Sequence, residues 1–437
     1  MALASLTGLR AADIAEIRSI MANRIERGKA VGIVVGVIDQ KGRQVIASGK
    51  VALDGKPEPD GDTVYEIGSV TKVFTSLLLA DMIEKGEVRP GDPVAKYLPA
   101  SIRVPSRNGR QITLLDLSMQ VSGLPRLPNN LNPGNTANPY ADYDAARLYD
   151  FLSHYTLTRD PGEKYEYSNL AVGLLGHALA LRAGMRYEDL LRQRIFEPLG
   201  MTSTSITLSG AQKKRLAPGY SAALRPVSNW DFDVLAGCGA VRSTVNDMLK
   251  FVAANLELTD TPLKAAMRRM RSLDRPTGME GVKIAMAWHL FTKFDEQIYW
   301  HNGGTYGYRS FVGFNPAKKE GVVVLCNTFF DNDDLGRHIL EARYPVSTYQ
   351  EHKEITLDGA VLDRYVGEYE LTPSFKIAVT RDGSHLYVQA TGQPKFAAFA
   401  ESETGFFLKV VDAQITFEKD ALILHQGGMN QKAMKVK

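Results

Sequence analysis

The spacing of hydrophobic residues predicts a helix and a hairpin at the start of the chain. From Leu9 to Arg27, apolar residues recur every three or four positions, which is typical of a helix with one buried stripe. Between Val31 and Gly49, two β-rich runs are joined by the turn residues Asp39 to Gly42, which indicates a β-hairpin. A helix and a strand pair therefore open the fold.

Strand-like runs return before residue 345 and enclose a helical middle. The region from about Ser69 to Phe251 is dominated by helical periods and loops. This order predicts an α+β unit: an antiparallel sheet, completed by N- and C-terminal segments and flanked by helices, with a helical subdomain inserted between them. We expect the functional site between the sheet and the subdomain. The later strand-like runs are Ile284–Phe291, Gln297–Trp300, Ser310–Asn315 and Gly321–Asn327.

A change of composition after Arg343 predicts a second, smaller domain. A polar connector begins at Pro345, and short alternating runs separated by Gly, Asp and Asn turns follow it. Such evenly spaced strands predict a small all-β meander or lipocalin-like barrel, so the expected domains are residues 1–345 and 346–437. The runs are 365–370, 376–380, 385–389, 406–411, 415–418 and 421–425.

Charge and apolar run length exclude two classes of partner. The 437 residues include 52 Lys and Arg against 49 Asp and Glu, a net charge of +3 that is too small for a dense phosphate-binding surface, so no nucleic acid is expected. The longest apolar runs, such as Val31–Ile38, fall short of the roughly 18 residues that a membrane helix needs. We therefore expect no membrane span.

The cysteines, histidines and N-terminus add three expectations. Cys238 and Cys326 are too few for a disulfide framework and are expected to be buried free thiols, although one bridge between them stays open. The eight histidines include no ligand-spaced pair, so neither a metal nor another cofactor is predicted. The start, from Met1 to Ser5, has no export signal, which predicts a cytoplasmic protein; a periplasmic or secreted chain with its signal removed would begin in the same way.

The first candidate motif is Ser69-Val-Thr-Lys72, at the start of a predicted amphipathic helix that continues to about Lys85. Residues three apart share one helical face, and a lysine amine can take the proton of a serine hydroxyl when it is neutral. The helix N-terminus also favours negative charge beside Ser69. The alternative is a helix-capping serine with a lysine on a solvated face, and a lone Ser-x-x-Lys does not decide between the two.

The second candidate is Tyr167-Ser168-Asn169, at a predicted junction between a loop and an apolar helix. A phenol near an ammonium group can shuttle a proton, and an amide can hold both a lysine and a substrate carbonyl. The alternative is a tyrosine packed on the core with Asn169 as the helix N-cap.

The third candidate is His301-Asn302-Gly303, which ends one strand-like run before the next begins. Glycine lets a backbone approach a ligand closely, and N–H groups of an edge strand can stabilise an oxyanion. His301 could then donate a hydrogen bond to a tetrahedral intermediate or to a substrate carboxylate. The alternative is a hairpin turn with an ordinary histidine.

Taken in order, these motifs resemble those of the β-lactamase-like serine hydrolases, which include class C β-lactamases, D-alanyl-D-alanine peptidases, D-aminopeptidases and family VIII esterases. The matching set is Ser-x-x-Lys, Tyr-x-Asn and Lys/His-x-Gly, and the resemblance covers roughly residues 10 to 340. Three further segments are similar to family segments, and the region after Asp358 looks like the β-rich tail of many peptidase-like members. The segments are Val121–Pro125, Phe196–Met201 and Gly237–Met248.

The resemblance implies a role for each motif residue. Ser69 would be the acylated nucleophile, Lys72 its activating partner and Tyr167 the proton shuttle. Asn169 would contact both Lys72 and the substrate. His301 takes the position where class C β-lactamases usually carry lysine, and in this it is more like the peptidase and esterase branches.

The resemblance also implies the binding groups around the nucleophile. The oxyanion hole would be formed by the backbone N–H groups of Ser69 and Gly304, and Gly303 and His301 would contact the substrate. A lysine and a tyrosine hydrogen-bonded to one serine can share a single mobile proton, which agrees with the residue chemistry. No metal or cofactor is required.

The expected function is a serine hydrolase that opens an amide, peptide or ester bond through an acyl-Ser69 intermediate. Peptidase or esterase activity on small or D-amino-acid-containing substrates is favoured slightly over β-lactamase activity. The alternatives are a class C-like β-lactamase, a non-hydrolytic penicillin-binding receptor or scaffold, and an interaction module that acts through the C-terminal domain. The expected partner is a small molecule or short peptide, and no oligomeric state is predicted.

Overall fold

A computed structural model describes residues 11–55, 57–347, 349, 352–372, 375–393, 395–409, 413–426 and 429–436 of the chain. The chain divides into two compact units, Met1–Tyr344 and Pro345–Lys437.

The first unit contains an eight-stranded antiparallel sheet and most of the helices. The predicted N-terminal helix and hairpin are both present, and the hairpin turns at Asp39–Gly42 as expected. The helices are α1 Ala11–Glu26, α2 Thr71–Glu84, α3 Leu114–Ser118, α4 Ala145–His154, α5 Asn169–Ala183, α6 Tyr187–Leu191, α7 Gly210–Arg215, α8 Val245–Asn255, α9 Lys264–Arg269 and α10 Asp333–Leu340, with 3-10 turns at Gly68–Val70, Val94–Tyr97, Ala236–Cys238 and Lys293–Asp295 and a π-helical turn at Arg192–Phe196.

The large sheet has the strand order β2-β1-β14-β13-β12-β11-β10-β9, so N- and C-terminal segments of the unit pair within it through β1 and β14, as predicted. Three two-stranded ladders, β3–β8, β4–β5 and β6–β7, lie outside it. The strands are β1 Gly32–Asp39, β2 Gly42–Gly49, β3 Tyr65–Glu66, β4 Ser106–Arg107, β5 Arg110–Gln111, β6 Gly219–Tyr220, β7 Pro226–Val227, β8 Arg242–Ser243, β9 Arg275–Pro276, β10 Val282–Ile284, β11 His289–Phe291, β12 Ile298–Gly304, β13 Arg309–Asn315 and β14 Glu320–Cys326.

One predicted strand is broken in the structure. The run Ile284–Phe291 is split into β10 and β11 by a turn, in which the N–H of Ala285 donates to the carbonyl of Trp288. Ala287 has a left-handed φ of 60°, and its N–H donates to the carbonyl of Ser118 at the end of α3. The hydrophobic pattern does not encode this tertiary hydrogen bond, which turns the chain within an apolar run.

Helix α2 is the central helix of the unit. Twelve of its 14 residues are buried, so it is surrounded on all sides instead of carrying the single apolar stripe that the sequence predicted. One core cluster joins α2 to the inner sheet face and to helices α5 and α8, and a second fills the other sheet face under α1 and α10. The burial of α2 also excludes the predicted alternative of a lysine on a solvated face, because Lys72 is fully buried.

The second unit is a closed antiparallel barrel of eight strands, preceded by the short helix α11, Gly359–Asp363. Tyr365 and Phe417 stack in its core with ring centroids 4.3 Å apart. The runs predicted from the sequence appear as strands, with residues 410 and 411 of one run outside the described part. The strands are β15 Gly367–Thr372, β16 Phe375–Asp382, β17 His385–Ala390, β18 Phe396–Ala400, β19 Gly405–Leu408, β20 Ala413–Glu418, β21 Ala421–Gln426 and β22 Met429–Lys435.

Two strands of the barrel, β18 and β22, were not predicted. Strand β22 pairs with β21 on one side and β15 on the other, so it closes the barrel. The sequence of β22 is mostly polar and has no hydrophobic run, so the pattern did not predict a strand there. Its pairing with both neighbours holds it in the barrel. Among the described residues, no helix is long and apolar enough to cross a bilayer.

A buried ion pair joins α1 to the first turn of α10. The fully buried guanidinium of Arg24 donates to Asn332 Oδ1 at 2.7 Å and to Asp334 at 2.9 Å. We expect Arg24→Met to lower the free energy of unfolding of the first unit by about 3 kcal/mol, because it leaves a carboxylate without its buried counter-ion. Denaturant unfolding followed by tryptophan fluorescence measures this, since all three tryptophans lie in the first unit.

Arg192 provides the control, because its ion pair with Glu197 is exposed on both sides. Arg192→Met is expected to cost less than about 1 kcal/mol. Equal effects of the two substitutions would contradict the role of the buried pair.

Candidate active site

Ser69 is the one residue of a buried segment that solvent can reach. Every other residue from Thr63 to Met82 is buried, whereas Ser69 is half-buried in the 3-10 turn before α2. The segment is fixed to Val241 by two hydrogen bonds, from the N–H of Ile67 to the Val241 carbonyl and from the Val241 N–H to Thr71 Oγ1, each 3.1 Å long. The fold therefore presents a rigidly held hydroxyl at a helix N-terminus.

Lys72 lies directly behind this hydroxyl. Its Nζ is 2.9 Å from Ser69 Oγ and donates a 2.7 Å hydrogen bond to the backbone carbonyl of Cys238. Lys72 forms no ion pair with any described residue. The amine is thus buried between a hydroxyl and a carbonyl, with no neutralising carboxylate among the described residues. The contact with Ser69 is the one that the Ser-x-x-Lys spacing predicted.

Tyr167 joins the pair through its ring. Lys72 Nζ lies 4.8 Å from the centre of the Tyr167 ring, and Arg126 Cζ lies 5.2 Å from it. Within the described residues, the Tyr167 hydroxyl makes no hydrogen bond. Of the two hydrogen bonds expected at Ser69, the one from Lys72 is therefore present and the one from Tyr167 is not. The structure brings all three predicted catalytic side chains together, and the role of Tyr167 as a proton shuttle stays a prediction.

The loop that carries Tyr167 is held by Gln120. The Gln120 side-chain carbonyl accepts the N–H of Ser168 at 2.7 Å, and its backbone carbonyl accepts the N–H of Glu166 at 2.8 Å. The N-cap of α5 is Ser168, whose hydroxyl accepts the N–H of Ala171, and not Asn169 as the alternative interpretation proposed.

Asn169 lines the same cleft, and no hydrogen bond to Lys72 is found among the described residues. Its Nδ2 donates to the hydroxyl of Tyr140 at 2.8 Å, and among the described residues its buried Oδ1 has no hydrogen-bond partner. The Cys238 carbonyl takes the lysine contact that the resemblance assigned to Asn169. The unpaired Oδ1 is an acceptor that a substrate N–H can satisfy.

The glycines of the third motif allow strand β12 to touch the serine turn. A Cβ on Gly303 would meet the carbonyl oxygen of Ile67 at 2.0 Å. A Cβ on Gly68, which has a positive φ of 50°, would meet the backbone N of Gly304 at 2.6 Å. Gly303 therefore serves close approach of the two backbones, and Gly304 N lies beside the turn that holds Ser69.

His301 is buried behind the site rather than exposed in it. Its Nδ1 lies 2.5 Å from the Asn302 carbonyl, and its buried Nε2 has no partner among the described residues. Burial lowers the pKa of His301 well below its usual value, and the charges of His289 and Lys72 act in the same direction. His301 is thus a neutral imidazole with one unused ring nitrogen, close to the ring of Tyr167.

Ser69 opens onto a cleft of about 410 Å³, whereas Lys72, Tyr167 and His301 are not among the residues that line it. Ser69, Asn169 and Gly304 line it, together with Arg126 and aromatic residues such as Trp230. No aspartate or glutamate is among these lining residues. The described part of the chain also has no cluster of three His, Cys, Asp or Glu side chains that could hold a metal ion.

Sequence reasoning missed four contributors to the site. Gln120 directly precedes the family-like segment Val121–Pro125, and neither Gln120 nor His289 was predicted to belong to the site. The carbonyl of Cys238 has no side-chain signal, because any residue in that turn would supply it. Both cysteines are buried and free, as predicted. Arg126 carried no motif, although it directly follows the segment Val121–Pro125.

A serine hydroxyl in contact with a buried lysine, with a strand N–H beside the same turn, is the arrangement expected of a serine hydrolase of the acyl-enzyme class. Residues 17–344 match the family model described as Beta-lactamase, and residues 351–422 match one described as Domain of unknown function (DUF3471). The chain belongs to the Beta-lactamase family. The predicted fold, family and hydrolase class are thereby confirmed.

Several relatives cover most of the chain. D-alanyl-D-alanine-carboxypeptidase/endopeptidase AmpH of Escherichia coli (strain K12) is 30% identical over 345 residues, which are 74% of this chain and 88% of AmpH. Penicillin-binding protein 4* of Bacillus subtilis (strain 168) is 27% identical over 413 residues, 86% of this chain and 88% of that protein. The β-lactamase/D-alanine carboxypeptidase structure from Yersinia pestis has a TM-score of 0.66 at 27% identity and covers 76% of this chain and 99% of its own.

The close approach at Gly303 predicts a strong effect of one methyl group. We expect Gly303→Ala to slow release of p-nitrophenol from p-nitrophenyl butyrate by roughly 10²-fold, because the displaced strand moves the Gly304 N–H away from Ser69. Gly91→Ala is the matched control, since a Cβ there meets no atom within 4 Å. Thermal unfolding of both variants separates loss of fold from loss of site geometry. Equal rates for the two variants would contradict the steric role of Gly303.

Burial of His289 predicts a pH dependence of stability. Burial, with the charge of Lys72, lowers the pKa of His289 from 6.5 to about 4. The unfolded chain therefore binds more protons between these two pH values, and the free energy of unfolding falls as the pH drops from 6.5 towards 4, by on the order of 3 kcal/mol. Urea unfolding between pH 7 and pH 4 measures this fall, which we expect to be smaller in His289→Gln.

The control is His154→Gln, because the side chain of His154 is 78% exposed. This variant is expected to keep the wild-type pH dependence. A His289→Gln variant with an unchanged dependence would show that another group causes the fall.

Proposed function

We propose that this chain hydrolyses amide, peptide or ester bonds of small or D-amino-acid-containing substrates through an acyl intermediate on Ser69. The observation that carries this proposal is the 2.9 Å contact of the buried Lys72 amine with Ser69, the one residue between Thr63 and Met82 that is not fully buried. The partner is a small molecule or short peptide, which suits a cleft of about 410 Å³.

Acylation begins with attack of Ser69 Oγ on the substrate carbonyl carbon. Lys72 is within hydrogen-bond reach of that oxygen and takes its proton. The carbonyl oxygen becomes an oxyanion, which the N–H groups of Ser69 and Gly304 stabilise. The bond to the leaving group then breaks as that group receives the proton from Lys72. We assign the relay of this proton to the hydroxyl of Tyr167, whose ring centre lies 4.8 Å from the amine.

Deacylation repeats the same steps with water as the nucleophile. Water adds to the acyl carbon and gives its proton to the Lys72 and Tyr167 pair. The bond between Ser69 Oγ and the acyl carbon breaks, Oγ regains a proton, and the carboxylic acid product leaves. The unpaired Oδ1 of Asn169 accepts a substrate N–H, which favours acyl donors that carry an amide.

The names of the relatives support this substrate class, since AmpH is called a D-alanyl-D-alanine-carboxypeptidase/endopeptidase. A neutral His301 in the third motif also distinguishes the site from the lysine of class C β-lactamases, as the sequence indicated.

The test is intact mass spectrometry after mixing with p-nitrophenyl butyrate, N-acetyl-D-alanyl-D-alanine or nitrocefin, with product release followed in the same samples. We expect a transient adduct with at least one of the first two donors and continued turnover. Ser69→Ala should abolish the adduct and lower turnover by roughly 10³-fold or more. Ser101→Ala, at an exposed position with no predicted role, should behave as wild type.

Three results would contradict the proposal. A persistent adduct with a single burst from every donor would indicate a penicillin-binding receptor. Turnover of nitrocefin alone would indicate a β-lactamase. Undiminished turnover by a folded Ser69→Ala variant would exclude Ser69 as the nucleophile.

A further inference from the structure

Arg126 places a positive charge on the wall of the cleft that contains Ser69. The residue is exposed, lines the cleft, and holds its guanidinium carbon 5.2 Å from the centre of the Tyr167 ring. Burial raises the pKa of the Cys238 thiol, and the charges of Lys72 and Arg126 both oppose that rise. The positive charges of Arg126 and Lys72 therefore both affect the surroundings of Cys238, which lines the cleft.

This guanidinium has no counter-ion among the residues that the structure describes. No described residue forms an ion pair or a hydrogen bond with it, and the cleft is lined by no aspartate or glutamate. Nearby arginines are different, since Arg159 pairs with Glu166 and Arg242 pairs with Glu66. A cleft with uncompensated positive charge attracts an anionic ligand.

The backbone of Arg126 belongs to the framework of the site. Its carbonyl accepts the N–H groups of Asn169 at 3.0 Å and Leu170 at 3.3 Å, at the start of α5. The adjacent Pro125 carbonyl accepts the hydroxyl of Ser168 at 2.6 Å. The loop that carries the guanidinium is thus tied to the helix that carries Asn169, so little backbone ordering is needed when a ligand binds.

We propose that Arg126 binds a carboxylate group of the substrate and makes this enzyme selective for anionic acyl donors. The inference rests on the proposed function, because it names a feature of the substrate hydrolysed at Ser69. A guanidinium pairs with a carboxylate through two parallel hydrogen bonds, which gives orientation as well as affinity. The carboxylate can belong to the acyl part of the substrate or to its leaving group, and two experiments distinguish these sources.

The first experiment varies the acyl part with a constant leaving group. It compares mono-p-nitrophenyl adipate, which has a free carboxylate, with methyl p-nitrophenyl adipate, in which that carboxylate is capped. The second varies the leaving group and compares N-acetyl-D-alanyl-D-alanine with its C-terminal amide. The ratio of kcat/KM for the free and the capped substrate is measured in each, with the Ser69→Ala rate subtracted.

Arg126→Gln is expected to lower kcat/KM for the carboxylate substrate of one experiment by roughly 10- to 100-fold and for its capped partner by less than about 3-fold. Arg126→Lys should restore part of the preference, because it keeps the charge but loses the paired geometry. Arg103→Gln, which removes another exposed arginine, should leave both ratios unchanged. Thermal unfolding checks that each variant is folded.

The outcomes separate this inference from the proposed function. In one outcome, wild type shows Ser69-dependent turnover while Arg126→Gln changes kcat/KM equally for the free and the capped substrate in both experiments. This result would contradict the carboxylate site and leave the proposed hydrolase function supported. If no substrate in either experiment shows Ser69-dependent turnover, the proposed function fails and the inference fails with it.

Discussion

The structure of the site depends on a lysine amine buried without a carboxylate. Burying such a group is costly unless its hydrogen bonds are made, and Lys72 has the Ser69 hydroxyl and the Cys238 carbonyl for this purpose. Both partners must be held firmly. Helix α2 is therefore buried on all sides, and the turn with the Cys238 carbonyl lies tightly against α5, where a Cβ on Gly237 would meet the Val172 carbonyl at 2.9 Å.

The second constraint is the contact between that helix start and strand β12. The site combines segments near residues 69, 167 and 303, which are brought together because the sheet and the helical subdomain close on α2 from opposite sides. Glycines at the contact bring the Gly304 N–H beside the turn that holds Ser69. Asn169 Oδ1 and the guanidinium of Arg126 have no hydrogen-bond partner among the described residues. Both residues line the same cleft, and we propose that a substrate satisfies these groups.

Much of this could be predicted from sequence, because side-chain chemistry and helical spacing leave a visible pattern. A serine and a lysine three apart must share a helical face, and the hairpin turn at Asp39–Gly42 follows from its residue types. Features set by tertiary hydrogen bonds left no such pattern: the break at Ala287, the lysine contact of the Cys238 carbonyl, and the polar strand β22 that closes the barrel. The orientation of the Tyr167 hydroxyl depends on a loop held by Gln120, which no local rule gives.

The most direct test of the account is a crystal structure of the protein after reaction with a small boronic acid, which mimics the tetrahedral intermediate. We expect boron bonded to Ser69 Oγ, one boronate oxygen within about 3 Å of the backbone N atoms of both Ser69 and Gly304, and Lys72 still in contact with Ser69 Oγ. Boron on another residue, or a boronate oxygen directed away from both N–H groups, would contradict the account.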